Sequence, residues 1–452
     1  MTKAHIDTVT EYQLIKGTEE GNSDGTFRKM LIDFNREFQK THKSTFLIQD
    51  DKGLKTQNYV GMIHVGNKQL EILPKIDGLN EKPIDLLVNP EDLKEIQDRN
   101  IRNRTNLVRM LCIALDLDIK SDQITNTGSS STILEVMIQL FCKMLWKELH
   151  RGQVRQYEPH IDNLSVMRGR LNIGRQIREN LIRPERLACD FDEFTIDTPI
   201  NQILKATLRL LQNKSINSEN KRKILQLLMF FDEVSDVIPT DLHWNKLKMD
   251  RLTARYNPVL ELSKLFLKGK YQSIYAGTGI GFSLLFDMNE LFEKYVGRML
   301  KKHPENKHLT ISLQKPENYL AIRQHNKTPV CKLKPDVYAI NNGDKNDSKS
   351  PWIVDTKWKK LNEEKSRDGV GSGDVYQMLA YGYRYQTKNI FLIYPHHSDL
   401  EKFPRGIRET YVVEHPVADI KSISIHIATL ELTELDTVED QLTKILNKNK
   451  YN

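Results

Sequence analysis

The sequence predicts an α+β protein of several domains, with a β-rich N-terminal region, a helical middle and a C-terminal α/β domain. Three observations lead to this prediction. Alternating apolar residues flank a turn near residue 66, apolar residues recur every three to four positions through the middle, and helical and strand-like segments alternate after residue 281. The predicted boundaries are residues 1–100, 101–278 and 279–452.

The N-terminal region contains a predicted β-hairpin. Tyr59–Val65 and Gln69–Leu73 carry alternating apolar residues, and the Gly-Asn-Lys segment between them suits a tight turn. Pro74 ends the second strand, because proline cannot donate a backbone hydrogen bond. A further strand is predicted at residues 45–48, and the charged segment 82–100 is predicted to be a surface excursion.

The middle region shows helical spacing of apolar residues, and the C-terminal region mixes helices with short apolar strands. Predicted helices of the middle cover residues 106–115, 131–150, 199–213, 221–237 and 257–268. The glycine-rich stretch 277–281 is predicted to be a joint. Beyond it, predicted helices cover 284–302 and 375–385, and predicted strands cover 309–313, 330–340, 352–358, 389–394 and 422–427.

The composition is that of an ordinary globular protein. The net charge of +7 over 452 residues permits nucleic-acid binding without arguing for it. The four cysteines form no Cys-x-x-Cys pair, which argues against a zinc site and more strongly against a disulfide framework. No apolar stretch approaches the ~18 residues of a membrane span, and the N-terminus lacks the shape of a signal peptide. We therefore expect a cytoplasmic protein without a membrane partner.

Two acids and a lysine in the C-terminal region have the spacing of a metal-dependent hydrolytic site. Asp336 follows Pro335, and Asp355 and Lys357 follow on the next predicted strand after a polar turn. Residues two apart on a strand share a face, so Lys357 can reach a water or phosphate held beside Asp355. Thr356 is expected to point away and to offer its carbonyl as a ligand. Asp-x-Lys alone is usually a strand-end ion pair, but here Pro-Asp, a turn, an apolar strand and Asp-x-Lys come in order.

The helix after this strand extends the pattern. Gln377 and Tyr381 are four residues apart and share a helix face, and Asp374 can act as the N-cap. The order of motifs resembles the PD-(D/E)xK nuclease superfamily, and the Gln-x-x-x-Tyr element is similar to its RecB-like branch. The resemblance implies that Gln377 and Tyr381 support the site and that Glu293, on the preceding helix, completes the acidic cluster. Glu290 fits less well and is interpreted as a solvent-facing residue.

The resemblance also implies a metal. Asp336, Asp355, Thr356 and Glu293 would hold Mg²⁺, with Mn²⁺ as a substitute, and Asp336, Asp355, Lys357 and Glu293 would carry catalysis. Carboxylate and carbonyl oxygens are the ligands that Mg²⁺ prefers. The glycine-rich segment 369–373 superficially suggests dinucleotide binding, but its loop is too long and lacks the strand–turn–helix context. The sequence contains no G-x-x-x-x-G-K-[ST] motif, so this chain has no P-loop of its own.

Motifs outside the nuclease region resemble the McrC family. They are the segments 60–66, 71–76, 167–171, 191–194 and 197–201, together with Arg151-Gly152, Tyr157 and Leu204-Lys205, and the segment 285–293 inside the predicted nuclease domain is also similar. The resemblance implies the nuclease subunit of a McrBC system, which cuts double-stranded DNA carrying modified cytosine. A McrB-like AAA+ GTPase hexamer would supply the motor, and an N-terminal finger of this chain, based on the hairpin before residue 80, would enter its ring and stimulate hydrolysis.

Two other functions of the chain remain open, and Arg168 and Arg170 have two possible roles. The chain could act mainly as an activator and assembly subunit of the AAA+ partner, or as a stand-alone RecB-like nuclease for DNA ends. Arg168 and Arg170 could contact phosphate or an acidic surface of the partner protein, but a structural pairing with the acidic segment Asp192-Glu193 is favoured. Asp197 and Asn201 are interpreted as helix-start and packing residues.

Overall fold

The structure is a computed structural model, and it describes residues 5–15, 25–65, 68–76, 90–117, 132–238, 244–247, 249–267, 273–276, 279–303, 309–341, 351–397, 400, 406–414 and 422–447. The chain divides into two compact units. The first combines Met1–Ile133 with Ser273–Asn452, and the second is Leu134–Gln272. The first and last of the three predicted regions therefore contribute to one unit.

Helices and strands are numbered in chain order over the described residues. The helices are α1 (Gly25–His42), α2 (Pro90–Ala114), α3 (Ile133–His150), α4 (Ile173–Glu179), α5 (Pro199–Lys214), α6 (Ser218–Leu228), α7 (Asn257–Leu267), α8 (Met288–Lys302), α9 (Ser372–Tyr385) and α10 (Val438–Asn447). The strands are β1 (His5–Thr10), β2 (Leu47–Asp50), β3 (Gly53–Thr56), β4 (Tyr59–Val65), β5 (Lys68–Leu73), β6 (Gln156–Leu164), β7 (Arg170–Leu171), β8 (Leu187–Thr195), β9 (Ser273–Ala276), β10 (Gly279–Asp287), β11 (Leu309–Leu313), β12 (Asn318–Ile322), β13 (Pro329–Leu333), β14 (Val337–Asn341), β15 (Trp352–Thr356), β16 (Asn389–Pro395), β17 (Gly406–Val413) and β18 (Ile423–Leu430).

The predicted N-terminal hairpin is confirmed as β4 and β5, which pair antiparallel with Val65 opposite Lys68. Residues 66–67 of its turn lie outside the described residues. Both strands lie inside a five-stranded sheet of order β1-β5-β4-β10-β9, so the hairpin is flanked on each side. Gly61 of β4 takes a φ of +131°, and a Cβ there would come within 1.9 Å of the Leu284 carbonyl oxygen. Only glycine lets β10 approach this closely.

A buried ion pair ties this sheet to α2 and to the residue where α3 begins. Glu71 of β5 is fully buried and accepts hydrogen bonds from the Arg104 guanidinium of α2 at 2.7–3.0 Å. Its carboxylate also accepts from the backbone N–H of Ile133, the first residue of α3 (2.8 Å). Each carboxylate oxygen thus has a donor, as a buried charge requires. One of the family-like segments, 71–76, therefore begins at a residue that joins β5, α2 and the start of α3.

The second sheet of this unit has the order β11-β14-β15-β16-β18-β17. β14 and β15 pair antiparallel, while β15, β16 and β18 run parallel to one another. The strands β15 and β16 are buried along almost their whole length, as expected for central parallel strands covered on both faces. Met378, Tyr381 and Tyr385 of α9 pack in the core of this sheet.

Several predicted element boundaries differ from those of the structure. The helix predicted at 221–237 ends at Leu228, and the strand predicted at 352–358 ends at Thr356. The single strand predicted at 330–340 is two strands, because β13 pairs with β12 and β14 with β11 and β15, and Pro335-Asp336 lies between them. The helix predicted from residue 284 begins at Met288, since residues 279–287 form β10, and Gly279 and Gly281 of the predicted joint belong to that strand. Residues 82–89 of the predicted surface excursion lie outside the described residues, and residues 90–100 belong to α2, which begins at Pro90, where proline suits the first helical position. The strand predicted at 45–48 spans Leu47–Asp50.

The second unit combines helices with a small sheet. α5 and α7 pack together, and Phe141 of α3 meets Phe266 of α7 in an edge-to-face contact at 6.0 Å. The sheet has the order β6-β8-β7. Asn201, fully buried on α5, donates to the carbonyl oxygens of Val154 and Ile196 at 2.8 and 2.7 Å, which confirms its packing role.

The arginines of this unit pair with acids. Arg168 lies 3.5 Å from Glu193, and Arg170 lies 3.6 Å from Asp190, which precedes the predicted acidic segment on β8. The structural interpretation of the arginine pair is therefore supported. All four cysteines carry free thiols, and only Cys331 is exposed. Among the described helices, none is long and apolar enough to cross a membrane.

Candidate active site

Asp336 and Thr356 meet where the hairpin of β14 and β15 begins and ends. The hairpin register pairs Val337 with Val354, which brings Asp336 next to the end of β15. Asp336 Oδ2 accepts hydrogen bonds from the Thr356 backbone N–H (2.8 Å) and hydroxyl (2.9 Å). The prediction that the Thr356 side chain points away was therefore wrong. The two hydrogen bonds fix one carboxylate oxygen and leave the geometry of the pair well defined.

Asp355 and Lys357 form an ion pair at the end of β15. Asp355 is 1% exposed, and its Oδ2 accepts from the Lys357 ammonium at 2.5 Å. The Lys357 backbone N–H donates to the Ile393 carbonyl of the parallel strand β16 (2.9 Å), which holds this segment against the sheet. Parallel sheets commonly bind ligands beyond the carboxyl ends of their strands, and these two residues lie at that edge.

The carboxyl groups of this region are desolvated and repel one another. Burial raises the pKa of Asp355 to about 7, Asp336 adds to the shift, and Lys357 opposes it. Burial raises the pKa of Asp336 to about 6, with Glu293 adding to the shift and the Thr356 hydrogen bonds opposing it. For Lys357, burial lowers the pKa, but the neighbouring carboxylates outweigh it and the net pKa is raised. Crowded carboxyl groups with raised pKa values are typical of functional sites.

Glu293 of α8 reaches the same region through residues that were not predicted. Gln314 donates to the Glu293 carboxylate and accepts from the Lys334 ammonium, and its backbone N–H donates to the Asp336 carbonyl at 2.9 Å. Burial raises the pKa of Glu293 to about 7, and Asp355 adds to the shift. Gln314 and Lys334 were missed because a lone Gln or Lys beside a strand carries no signal of its own. Glu290 is exposed and pairs with Lys294 at 2.6 Å, which confirms that it faces solvent.

Helix α9 holds the backbone just before Asp336. Gln377 donates to the Tyr381 hydroxyl (2.8 Å), and that hydroxyl donates to the Lys334 carbonyl (3.0 Å). One turn later, the Tyr385 hydroxyl lies 3.0 Å from the Leu333 carbonyl. The Gln-x-x-x-Tyr element therefore acts on the main chain leading to the acids, two residues away from Asp336.

Asp374 does not cap α9, contrary to prediction. The N-cap is Gly371, and Asp374 lies in the first turn, where a negative charge still suits the helix dipole. Its buried carboxylate accepts from the Lys359 ammonium at 2.8 and 3.0 Å and from the Tyr394 hydroxyl at 3.3 Å. Because Lys359 and Tyr394 bind the carboxylate, Asp374 does not cap the helix. Its side chain instead connects α9 to β16 and to the segment after β15.

The donor set suits Mg²⁺ in kind. Asp336 and Asp355 offer carboxylate oxygens and Thr356 offers a carbonyl oxygen as metal ligands. Mg²⁺ usually takes only one or two carboxylates from a protein. Among the described residues, no three His, Cys, Asp or Glu side chains converge into a group that could hold a metal. Glu293 is engaged by Gln314. Asp336 and Asp355 are likewise engaged, by Thr356 and Lys357, so all three carboxylates remain predicted metal ligands.

Comparison with known proteins defines the family. A family described as "McrBC 5-methylcytosine restriction system component" matches residues 54–395, well over half of the chain. The chain belongs to this family. The match spans every residue of the candidate site, from Glu293 to Tyr381. McrC-family membership also agrees with the sequence motifs in both units.

Individual McrBC proteins show the same relationship. A chain in the half-complex of Thermococcus gammatolerans McrB AAA+ hexamers with bound McrC is 20% identical, with a TM-score of 0.71 over 98% of this chain and 100% of that one. A chain of the Thermococcus gammatolerans McrBC complex is 24% identical, with a TM-score of 0.51 over 66% of this chain and 87% of that one. The Escherichia coli type IV methyl-directed restriction enzyme EcoKMcrBC is 21% identical over 59% of this chain and 78% of its own length. The two solved structures share the fold with this McrC-family chain.

Proposed function

We propose that this McrC-family chain is the Mg²⁺-dependent DNA endonuclease subunit of a McrBC-like restriction complex, with Mn²⁺ as an alternative metal. The observation that carries the proposal is the junction of β14 and β15, where Asp336 is fixed by Thr356 and Asp355 is paired with Lys357. Two desolvated carboxylates beside an ammonium group supply what phosphodiester hydrolysis requires: a place for a cation and a positive group near the phosphate.

Each residue of the site has a distinct part in this reaction. Asp336, Asp355 and the Thr356 carbonyl would hold the metal, which when bound polarises the phosphate and lowers the pKa of a water ligand. Lys357 is next to Asp355 and orients the attacking water or the scissile phosphate. Burial raises the pKa of Glu293 to about 7, so this carboxyl group can take up or release a proton near neutral pH. Gln377 and Tyr381 keep the chain before Asp336 in place.

The partner follows from the family and from the sequence. Related structures contain McrB AAA+ hexamers with bound McrC. This chain has no P-loop, so a motor would have to come from such a partner. We propose a McrB-like AAA+ GTPase as that partner and double-stranded DNA with modified cytosine as the substrate. The finger that would stimulate the GTPase stays a prediction, and the turn of its proposed base lies outside the described residues.

The test is cleavage of methylated DNA by the chain mixed with its partner, GTP and Mg²⁺. Asp355→Ala and Lys357→Ala should abolish cutting while GTP hydrolysis by the partner is still stimulated. Glu290→Ala, on the exposed side of α8, is the matched control and should cut like the unmodified chain. Cutting by the Asp355→Ala, Lys357→Ala double variant would show that the site has been assigned wrongly.

The same tubes separate the two other functions. A chain that mainly activates its partner would stimulate GTP hydrolysis without cutting any DNA. A stand-alone nuclease would cut unmodified DNA ends without partner or GTP. The buried Asp355–Lys357 pair favours the nuclease subunit over a pure activator, because an activator has no need to keep a desolvated carboxylate with a raised pKa.

A further inference from the structure

Besides Lys357 of the candidate active site, a group of lysines lines a nearby cavity. Among the residues that the structure describes, a cavity of about 240 Å³ is lined by three lysines, Lys75, Lys359 and Lys360, and by one carboxylate, that of Glu11. Lys75 follows β5, and the other two lysines follow β15, so segments from both sheets of the first unit supply the positive charge. The cavity is smaller than the roughly 300–1,000 Å³ of pockets for drug-sized ligands, which favours a small ligand or one group of a large one.

The carboxylate of the cavity is committed to other donors. Glu11 is fully buried, and its oxygens accept from the Lys75 backbone N–H (2.9 Å) and the Trp358 indole N–H (2.9 and 3.1 Å). These are neutral donors that hold the carboxylate against the wall. Along the described part of the lining, lysines therefore outnumber carboxylates, and an anion entering the cavity would meet ammonium groups.

Lys359 is held in place but keeps donor capacity. Its ammonium donates to both oxygens of the buried Asp374, at 2.8 and 3.0 Å, and the side chain is 55% exposed. A lysine ammonium has three donors, so one is left over for a further acceptor. The Lys359 backbone N–H donates to the Lys357 carbonyl at 2.9 Å. The chain turns tightly between the two lysines. The Lys359 side chain lines the cavity, whereas the Lys357 side chain pairs with Asp355.

The cavity and the acids lie at the same edge of the second sheet. Asp355, Thr356 and Lys357 are at the carboxyl end of β15, and His397 of the cavity follows the carboxyl end of its parallel neighbour β16. Successive phosphates of a DNA strand are about 3.4 Å apart along the helix axis. Lys357, which pairs with Asp355, and Lys359, which lines the cavity, are two residues apart, so a strand with one phosphate at the aspartates would carry its neighbouring phosphate close to the cavity.

We propose that this cavity, named here the lysine pocket, binds a backbone phosphate of the DNA next to the scissile one, with Lys75 and Lys359 as its main contacts. The inference rests on the proposed nuclease function and adds to it the residues that place the strand. Lysine suits this role as a point charge that recognises phosphate without reading the base.

The test measures binding rather than cutting. The full chain, assembled with its AAA+ partner, is titrated with a labelled methylated duplex in EDTA at several salt concentrations. Removing one phosphate contact by substitution should reduce the magnitude of the slope of log K against log salt by about 0.9. Lys75→Gln and Lys359→Gln should each show this reduction, and the double variant about 1.8. Lys75→Arg should retain the slope, since it keeps the charge. Lys301→Gln, at an exposed position in the last turn of α8, is the control.

Two results would overturn the lysine pocket, and parallel cleavage assays separate its failure from the failure of the proposed function. Slopes for the glutamine variants equal to that of Lys301→Gln, with thermal melting unchanged, would overturn the lysine pocket. Stabilisation of the chain by inorganic phosphate that Lys75→Gln removes, with an unchanged DNA slope, would assign the pocket to a free anion instead and also overturn it. Cleavage in Mg²⁺ is measured in parallel: a complex that binds but never cuts removes the proposed function, whereas cutting with unchanged slopes removes only the pocket.

Discussion

Asp355 shows the conflict between stability and activity most clearly. A carboxylate that is 1% exposed, beside a second aspartate, is costly to ionise, and Lys357 offsets part of that cost. Burial raises its pKa to about 7, so the folded chain holds this proton more firmly than the unfolded chain does. The contribution of Asp355 to folding stability is therefore fully present below about pH 4, the unfolded pKa, and is lost as the pH rises through about 7.

We predict that Asp355→Asn stabilises the metal-free chain at pH 8 while abolishing cleavage. The amide carries no charge, so the cost of ionisation disappears, and Tm should rise by on the order of 3 °C, the shift produced by about 1 kcal/mol. The advantage should shrink towards pH 5, where the native acid is protonated. Cleavage should fall by at least about 1,000-fold, or roughly 4 kcal/mol. The measurements are thermal melts at pH 5 to 8 and cleavage rates. A variant less stable than the native chain at pH 8 would contradict this account.

Mg²⁺ should stabilise the native chain more at pH 8 than at pH 5. Protons compete with the metal for carboxylates whose pKa values are raised to about 6 for Asp336 and about 7 for Asp355. The increase in Tm on adding Mg²⁺ should therefore grow with pH and should vanish in Asp355→Asn. Differential scanning fluorimetry with and without EDTA measures it. An equal increase at both pH values would mean that the metal binds elsewhere.

Helix α8 carries two glutamates three residues apart with different surroundings. Glu293 touches Gln314 and responds to the charge of Asp355, whereas Glu290 pairs with Lys294 in solvent. We predict that Glu293→Gln lowers the cleavage rate by about 10- to 100-fold, the range seen for residues that support metal ligands, and that Glu290→Gln leaves it unchanged. Initial rates for the two variants in the assembled complex provide the comparison. Equal losses would indicate that α8 contributes only through its fold.

The join between β5, α2 and the start of α3 depends on one buried carboxylate. Removing Glu71 leaves Arg104 and the Ile133 N–H without their acceptor. Breaking such a pair costs about 3–5 kcal/mol, so Glu71→Ala should lower the free energy of unfolding by that order. Glu37→Ala on α1 removes an exposed pair with Lys40 and should change it by less than about 1 kcal/mol. Urea unfolding measures the free energy of unfolding of both variants. Equal losses would show that the buried Glu71 contacts do not stabilise the fold more than an exposed ion pair does.

Elements with a strong local sequence pattern could be predicted from the sequence. Features that depend on contacts with residues distant in sequence could not. The β4–β5 hairpin has its pattern and its turn in one short segment, and Asp355 and Lys357 are fixed by strand periodicity. The break at Pro335 is different, because β13 and β14 look like one apolar run until each finds a separate partner strand. Asp374 resembles a cap by residue type, but Lys359 and Tyr394 bind its carboxylate. Gln314 is positioned by Glu293 and Lys334, which no local pattern reveals.

At the scale of the whole chain, the first unit is assembled from segments far apart in sequence. β10 pairs with β4 across more than two hundred residues, with Asp287 opposite Tyr59. The same β10 leads directly into α8, which carries Glu293, so the N-terminal sheet and the candidate site share one continuous segment. The prediction of separate N-terminal and C-terminal regions followed from sequence order, since composition gives no sign that distant strands pair.

The second unit differs, because Leu134–Gln272 is continuous in sequence and carries its own core. Phe141, Ile203, Leu208 and Phe266 are fully buried within it. We predict that a fragment of residues 134–272 folds alone and unfolds cooperatively, and that Leu208→Ala costs about 2–5 kcal/mol in it. A fragment of residues 1–133 is the matched contrast and should not unfold cooperatively, because β4 would lack β10. Circular dichroism melts of both fragments provide the measurement. A gradual, non-cooperative melt of 134–272 would mean that its core forms only in the intact chain.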